Sequence, residues 1–353
     1  MKSGAVLEKK KKPAARSHRD LSDIRQALPA DVFRSSVGRS LSYFFLDLVI
    51  IAALFYAAYR IDSWFFWPFY FFAQGTMFWA LFVVGHDCGH GSFSRYKTLN
   101  HFIGHLCHTP ILVPYHGWRI SHRTHHQNTG NIDRDETWYP ITESQYAALD
   151  PVVKFLRYKL FLLVFPIYLF RRSPGRDGSH FLPGSDVFKP SEKKEVLTSS
   201  ILWFAMFGLL IASGYVFGIA ALAKYYIAPY LVCVVWLDLV TFLHHTDSSV
   251  PWYRGEDWDF TKGALSTVDR SYGIFEPIHH NIGTHIAHHL FTAIPHYKLK
   301  EATISLKEYL GNDYRKSDEP IFRALLRSWK ECGVVADEGS PVFYKPVPRD
   351  IQH

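Results

Sequence analysis

The chain has 353 residues, 48% of them hydrophobic and 16% aromatic, and a formal charge of +7. The apolar residues fall in long runs nearly free of charge, while the charged residues gather at both ends and in the connecting segments; that block pattern excludes an ordinary soluble globule and marks a membrane protein. The positive charge then reads as the Lys/Arg excess of cytoplasmic segments, with no nucleic-acid partner, and the four cysteines, Cys88, Cys107, Cys233 and Cys332, lack metal or redox spacing and exclude a disulfide framework.

In chain order, residues 1–38 form a basic arm with a lysine run at Lys9–Lys12; no apolar run follows until after Arg39, so the arm is expected to be a disordered cytoplasmic tail and not a secretory signal. The first expected span is Leu41–Tyr59, interrupted only by Asp47, and the second is Trp64–Val84, joined to it by the short link 60–63 in a helical hairpin. A second hairpin is expected from Ser199–Phe217 and Tyr226–Leu243. Each run has about the 20 residues an α-helix needs to cross the hydrocarbon core. Phe102–Val113 and Leu160–Phe170 are too short to cross and are expected to be interfacial helices. Beyond residue 296, Leu299, Thr303, Leu306 and Leu310 share one helical face, as expected of a helical cap in water. The expected organisation is therefore an all-α integral membrane protein: an arm at 1–38, a membrane domain of four spans with interfacial helices and cap at 39–325, and a cytoplasmic C-terminal tail at 326–353.

The chemistry is concentrated in histidine. Of 20 histidines, eight stand in three clusters: His86 and His90; His122, His125 and His126; and His285, His288 and His289. Residues three and four apart share a helical face, so each cluster aims its imidazoles at one point. Imidazole suits iron, copper and zinc, and eight ligands are too many for one ion with an open site and about right for two. The Glu-x-x-His pattern of soluble di-iron bundles occurs only at Glu276–His279, with Pro277 inside it, so the cage should be built from histidine. No His-Glu-x-x-His and no Cys-x-x-Cys-His is present, which argues against a zinc protease and covalent haem. Parity agrees: the first two clusters are separated by no full span and the last two by an even number, so all three fall on one side of the membrane. The fourth run ends in His244-His245, and Asp238, Thr241 and His245 lie on one face there. His245 is expected as a ninth ligand, with Asp238 or Thr241 orienting an imidazole or a water; His244 should tolerate change better. His279 and His280 receive no role.

These residues resemble one family, the membrane fatty acyl desaturases with three histidine boxes. The boxes His86-Asp87-Cys88-Gly89-His90, His122-Arg123-Thr124-His125-His126 and His285-Ile286-Ala287-His288-His289 follow its order and spacing. The segments 114–122, with His116, 267–275, and 278–285, with His279-His280, are most similar to its omega-3 acyl-lipid members from cyanobacteria and plastids; the omega-6 relatives share Val268-Asp269-Arg270 and the boxes but read differently around His116 and His279-His280, and Asn281 departs from the acidic residue of close relatives. The resemblance implies two iron ions, O2 as co-substrate, and conversion of linoleoyl to α-linolenoyl chains on membrane lipids in a thylakoid or plasma membrane, with the site on the cytoplasmic face. It also implies ferredoxin as electron donor, for which Arg123, Arg134, Arg171, Arg172, Lys193 and Lys194 are candidate docking cations. An omega-6 desaturase or acyl hydroxylase would use the same boxes; a bis-histidine haem electron carrier is the non-enzyme alternative.

Overall fold

The computed structural model describes residues 20–173 and 176–348. The Lys9–Lys12 run lies outside the described residues. From residue 20 the arm is folded: α1 (Leu21–Gln26), capped by the Asp20 side chain, and a 3-10 turn bring Ile24, Leu28 and Val32 into a core cluster. The first span is α2 (Val37–Ile61), closed by Asp62 in the left-handed region at φ 34°. The second is α3 (Trp67–His90), with Pro68 in its first turn and Gly91 at φ 77° ending it. This span runs on through the first histidine box, so box one is the end of a transmembrane helix.

Next come α4 (Lys97–His108) and α5 (Tyr115–Asn128), which carries box two. Both pack beneath α3, with α4 contributing Ile103 and Cys107 to a core shared with Leu81 and Val84. Short helices α6 (Glu143–Ala148), α7 (Pro151–Tyr158) and α8 (Phe165–Phe170) follow. The expected interfacial helix at Leu160–Phe170 is thus broken into a 3-10 turn at Phe161–Leu163 and α8, because Pro166 starts a new helix where it needs no N–H partner. The third span, α9 (Lys193–Phe217), stops at Gly218, whose φ is 89°. α10 (Ile219–Leu222), a π turn and α11 (Ala228–His245) make the fourth span continuous over Ile219–His245. All four expected spans are present.

The remaining elements build the cap: α12 (Phe260–Ala264), α13 (His285–Leu290) with box three, α14 (His296–Leu310) and α15 (Ile321–Glu331). Four two-residue strands tie them together: β1 (Pro251–Trp252), β2 (Asp269–Arg270), β3 (Lys316–Ser317) and β4 (Val342–Phe343). β1 pairs antiparallel with β4, Pro251 opposite Phe343, and β2 parallel with β3, Asp269 opposite Lys316. The expected face of Leu299, Leu306 and Leu310 is buried with Ile286, Leu290 and the arm's Ile24, while Thr303 sits at its edge. The stretch expected as a tail from residue 326 begins inside α15, and Cys332, Val335, Val342 and Tyr344 pack on Ile132, Trp252 and Val268.

The spans differ in environment. Within their most apolar windows α3 is 72% buried and the Ile219–His245 span 50%, against 17% for α2 and 22% for α9, so the histidine-bearing pair is the inner one. Its close crossing depends on Gly75: a Cβ there would stand 2.4 Å from the Pro229 carbonyl oxygen and 2.5 Å from Val232 Cβ. Replacing Gly75 with Leu should force α3 and α11 apart and cost at least the roughly 1–3 kcal/mol of an overpacked core. Gly208 of α9 has nothing within 4 Å of its added Cβ, and Gly208→Leu should be silent. Thermal denaturation of both variants in detergent checks the difference; equal midpoints would contradict the crossing.

Candidate metal centre

Nine histidines converge where α3, α5, α11 and α13 meet. The ring nitrogens of His86, His90, His122, His126 and His288 all lie within 4.8 Å of one another, and those of His125, His245 and His289 form a second such group. His285 joins the second, its Nε2 being 3.0 Å from Nε2 of both His245 and His289. The two groups abut where the His126 and His289 rings stack, 4.1 Å between centroids. The structure therefore brings together all eight box histidines and His245.

The arrangement suits metal. Within the first group Nε2 atoms approach to 3.2 Å (His86–His90), 3.1 Å (His122–His126) and 3.1 Å (His126–His288). Two nitrogens each about 2.1 Å from one ion and at right angles stand about 3.0 Å apart. Burial holds the His122, His126, His285, His288 and His289 imidazoles well below the usual histidine range, so these rings are neutral near pH 7 and have lone pairs to offer. Five such nitrogens cannot all be satisfied by hydrogen bonds to one another, since each neutral ring has one proton; a cation at the focus resolves the conflict.

The rings are held from behind. Nδ1 of His125 is 2.5 Å from Asp135 Oδ1, and Nδ1 of His289 is 3.0 Å from Thr129 Oγ1, so both rings turn Nε2 inward. Asp135 also accepts from the Gly130 and Thr137 amides, which fixes its carboxylate. Trp118 stacks on His122 at 4.4 Å. Box three is set by Val268-Asp269-Arg270. The Ile286 amide donates to Asp269 Oδ1 at 2.7 Å at the start of α13, while Arg270 donates to the Leu243 carbonyl at 2.8 Å and to Asp247 at 2.8 Å, clamping the end of α11. His244 is part of this clamp: Nδ1 lies 2.6 Å from the Val268 carbonyl oxygen, Nε2 lies 3.1 Å from the Tyr272 hydroxyl, and the ring stacks on His285 at 4.2 Å. The ring is fully buried with both nitrogens engaged, so the geometry gives His244 a structural role that its sequence position did not suggest.

Some expectations need correction. Asp238 accepts from the Phe165 amide at 3.1 Å and Thr241 donates to the Leu237 carbonyl of its own helix, so neither bonds a cage imidazole; Asp135 and Thr129 do so instead, while Asp238 and Thr241 line the same cavity as His245. Asp135 stands in a polar loop ten residues after His125, where no periodicity marks it. Arg172 is buried, with two bonds to Glu136 at 2.6 and 3.1 Å and a contact to Asp186, so it cannot dock a partner. Arg123 is drawn to Glu192 at 2.7 Å. His280 meets Asp47 of the first span at 2.8 Å, while His279 is enclosed by Trp236, Tyr272 and Phe275. Asn281 occupies the left-handed region at φ 60°, which Asn tolerates better than most residues.

The comparisons agree with this geometry. The model of the fatty acid desaturase family matches residues 62–319. The chain belongs to that family. The sn-1 acyl-lipid omega-3 desaturase (ferredoxin) of Synechocystis sp. is 60% identical over 325 residues, covering 92% of this chain and 90% of the relative. The endoplasmic reticulum acyl-lipid omega-3 desaturase (cytochrome b5) of Arabidopsis thaliana is 50% identical over 346 residues, covering 95% and 90%. The chloroplastic sn-2 acyl-lipid omega-3 desaturase (ferredoxin) of the same plant is 49% identical over 346 residues, covering 95% and 78%.

In this desaturase a cavity of about 880 Å³ opens onto the cage, reaching His86, His122, His125, His245 and His285. Between α3 and α11 it is walled by Trp79, Phe82, Val83, Leu237 and Val240; outward it passes Phe165 and Tyr168 to a mouth at Val152, Ile167 and Arg171, all exposed. The Asp238 bond to the Phe165 amide pins the break before α8 against α11 and so holds one wall.

Two outcomes test the support of the cage. Asp135→Asn should lower metal affinity and activity by about 10- to 100-fold, as loss of a ligand's orienting partner does; metal content by elemental analysis at unchanged expression is the readout, and wild-type content would remove Asp135 from this role. Burial raises the Asp269 carboxyl from 3.8 to about 7, so the folded state holds a proton there that the unfolded chain gives up at lower pH. Stability from this group is present below 3.8 and lost as pH rises toward 7. Asp269→Asn should therefore make the fall in stability over that window shallower than in the wild type, as followed by thermal denaturation against pH.

Proposed function

We propose that the chain is an oxygen-dependent acyl-lipid omega-3 desaturase that carries two iron ions and introduces a cis double bond into linoleoyl chains of membrane lipids, giving α-linolenoyl chains. The observation that carries this reading is the contiguity of the nine-imidazole cage with a cavity of about 880 Å³ whose inner wall, between α3 and α11, is apolar and whose mouth sets Val152 and Ile167 beside Arg171. His86, His90, His122, His126 and His288 would hold one ion and His125, His245, His285 and His289 the other. When bound, the irons supply the redox chemistry that activates O2, which a methylene C–H with no acidity requires.

The protein's own tasks are positioning and exclusion. Trp79, Phe82, Val83, Leu237 and Val240 give an acyl chain an apolar wall past the cage, so a buried C–H can lie beside it without water. Arg171 at the mouth suits the headgroup side of a lipid held by its tail. The overall balance converts one CH2–CH2 unit, O2, two electrons and two protons to one CH=CH unit and two waters. Electrons come from reduced ferredoxin, as the names of the Synechocystis and chloroplastic relatives have it. The cage side of the spans is assigned to the cytoplasm, where that donor is found, in a thylakoid or plasma membrane of cyanobacterial type. The haem alternative fails on space: a porphyrin needs a flat slot between facing imidazoles, and five ring nitrogens within 4.8 Å of one another leave none.

Expression in a host that makes linoleate should yield a trienoic chain with the new bond three carbons from the methyl end, read by gas chromatography of derivatised lipids. His125→Ala and His288→Ala should abolish product and lower bound iron while membrane insertion persists. A hydroxylated product would assign the site to hydroxylation, and active protein holding zinc without iron would overturn the di-iron reading.

A further inference from the structure

Electrons must reach a cage that the fold encloses almost completely. Of its nine histidines, only His90 and His122 are partly exposed; the others are buried. His122 lines the acyl cavity, whereas His90 does not, so the accessible part of His90 lies outside that cavity. Its chain neighbours Gly89 and Gly91 are partly and fully open.

The surface around that part is basic. Arg119 passes directly over Gly89, where a Cβ would stand 3.2 Å from Arg119 Cγ, and donates to Glu195 Oε2 at 2.6 Å. Lys97, its side chain 78% exposed, lies 3.9 Å from the same carboxylate. Lys193 and Lys194 at the start of α9, and Arg95 before α4, are exposed. The acidic groups touching this set, Glu192 and Glu195, are each paired with an arginine, Arg123 and Arg119, so the lysines give the face its net sign. None of these cations lines the acyl cavity.

We propose that the face formed by Arg95, Lys97, Arg119, Lys193 and Lys194 docks a small acidic iron–sulfur electron carrier and that its electrons enter the cage at His90. The inference rests on the reading of the protein as a ferredoxin-driven desaturase. Each turnover then takes two dockings, each oxidising one reduced carrier by one electron; both electrons end on the oxygen atoms of O2, which leave as water with two protons from solvent and two hydrogens from the acyl chain. Encounters of this type are small, transient and steered by charge. A donor that approaches here leaves the acyl mouth free for lipid exchange.

The test uses the full-length, iron-loaded protein in nanodiscs with a reduced cyanobacterial [2Fe–2S] ferredoxin. Three proteins are compared: Lys193→Glu/Lys194→Glu, Lys97→Glu, and Lys307→Glu/Lys330→Glu, a control with the same charge change as the first on exposed cap positions. Ferredoxin oxidation is followed against salt, ferredoxin binding is measured separately from turnover, and a small-molecule reductant gives a donor-independent rate. The first two variants should lose about fivefold or more of ferredoxin binding and oxidation at low salt and show a flatter salt dependence, as removal of steering charge does. Their iron content and mediator-driven rate should stay at the wild-type level, and the control should match wild type throughout. Wild-type salt slopes in both lysine variants, or an equal loss in the control, would overturn the docking face while leaving the donor assignment intact. A wild-type protein that turns over with the mediator but never oxidises ferredoxin would instead overturn the donor assignment. A variant that loses iron is replaced by its Lys→Gln counterpart.

Discussion

Imidazole lone pairs that converge on one point repel, and each ring must also lose its water to get there. Nine rings meet in this way, so nearly every neighbouring element is committed to holding one of them. Asp135 and Thr129 grip two rings by Nδ1, Trp118 stacks on a third, and the segment 268–270 joins the end of α11 to the start of α13. The scaffold tolerates the repulsion because the helices that bring the rings are themselves buried, α3 above all. The outer spans α2 and α9 carry little of this load.

A second polar chain links the lipid-facing α2 to the cage. Asp47 meets His280, whose ring lies 4.5 Å from that of His296; His296 in turn donates its amide to Asp87 at 2.9 Å, next to His86 in box one. An acidic residue inside a span is costly unless paired, and this pairing ties α2 to the segment preceding box three. Positive φ at His280 and Asn281 places the two side chains in opposite directions, one toward the span and one toward the α14 backbone.

Much of this was legible in the sequence because it is periodic. Spans read as uncharged runs, and the boxes read as i, i+3 and i+4 repeats; His245 followed from its place at the end of a span. What escaped reading lacks a local period. Asp135 meets His125 only after the loop beyond α5 folds back, and Thr129 meets His289 only once α13 packs against the end of α5. Arg172 looked like a surface cation beside Arg171, yet Glu136, 36 residues earlier, buries it. Asp238 shares a helical face with His245, but its carboxylate is used by the Phe165 backbone amide, which only the broken α7–α8 connection brings within reach. Leu160–Phe170 has the composition of an interfacial helix, and Pro166 breaks it into a 3-10 turn and α8, of which α8 walls the cavity.

The mouth of the cavity, with Val152 65% and Ile167 45% exposed, sets apolar side chains beside the charged Asp150, Arg171 and Asp177. With Val152 and Ile167 at the lipid side of the mouth and Arg171 at the headgroup side, an acyl chain could enter without leaving its leaflet, and so could the product. The quantity that fills such a site is the mole fraction of the right chain among its neighbours in two dimensions, not a bulk molarity. Diluting the bilayer with saturated lipid acts on it as a fall in substrate concentration does on a soluble enzyme, even when the amount of substrate per millilitre is unchanged. Saturation kinetics for this protein are therefore a property of membrane composition.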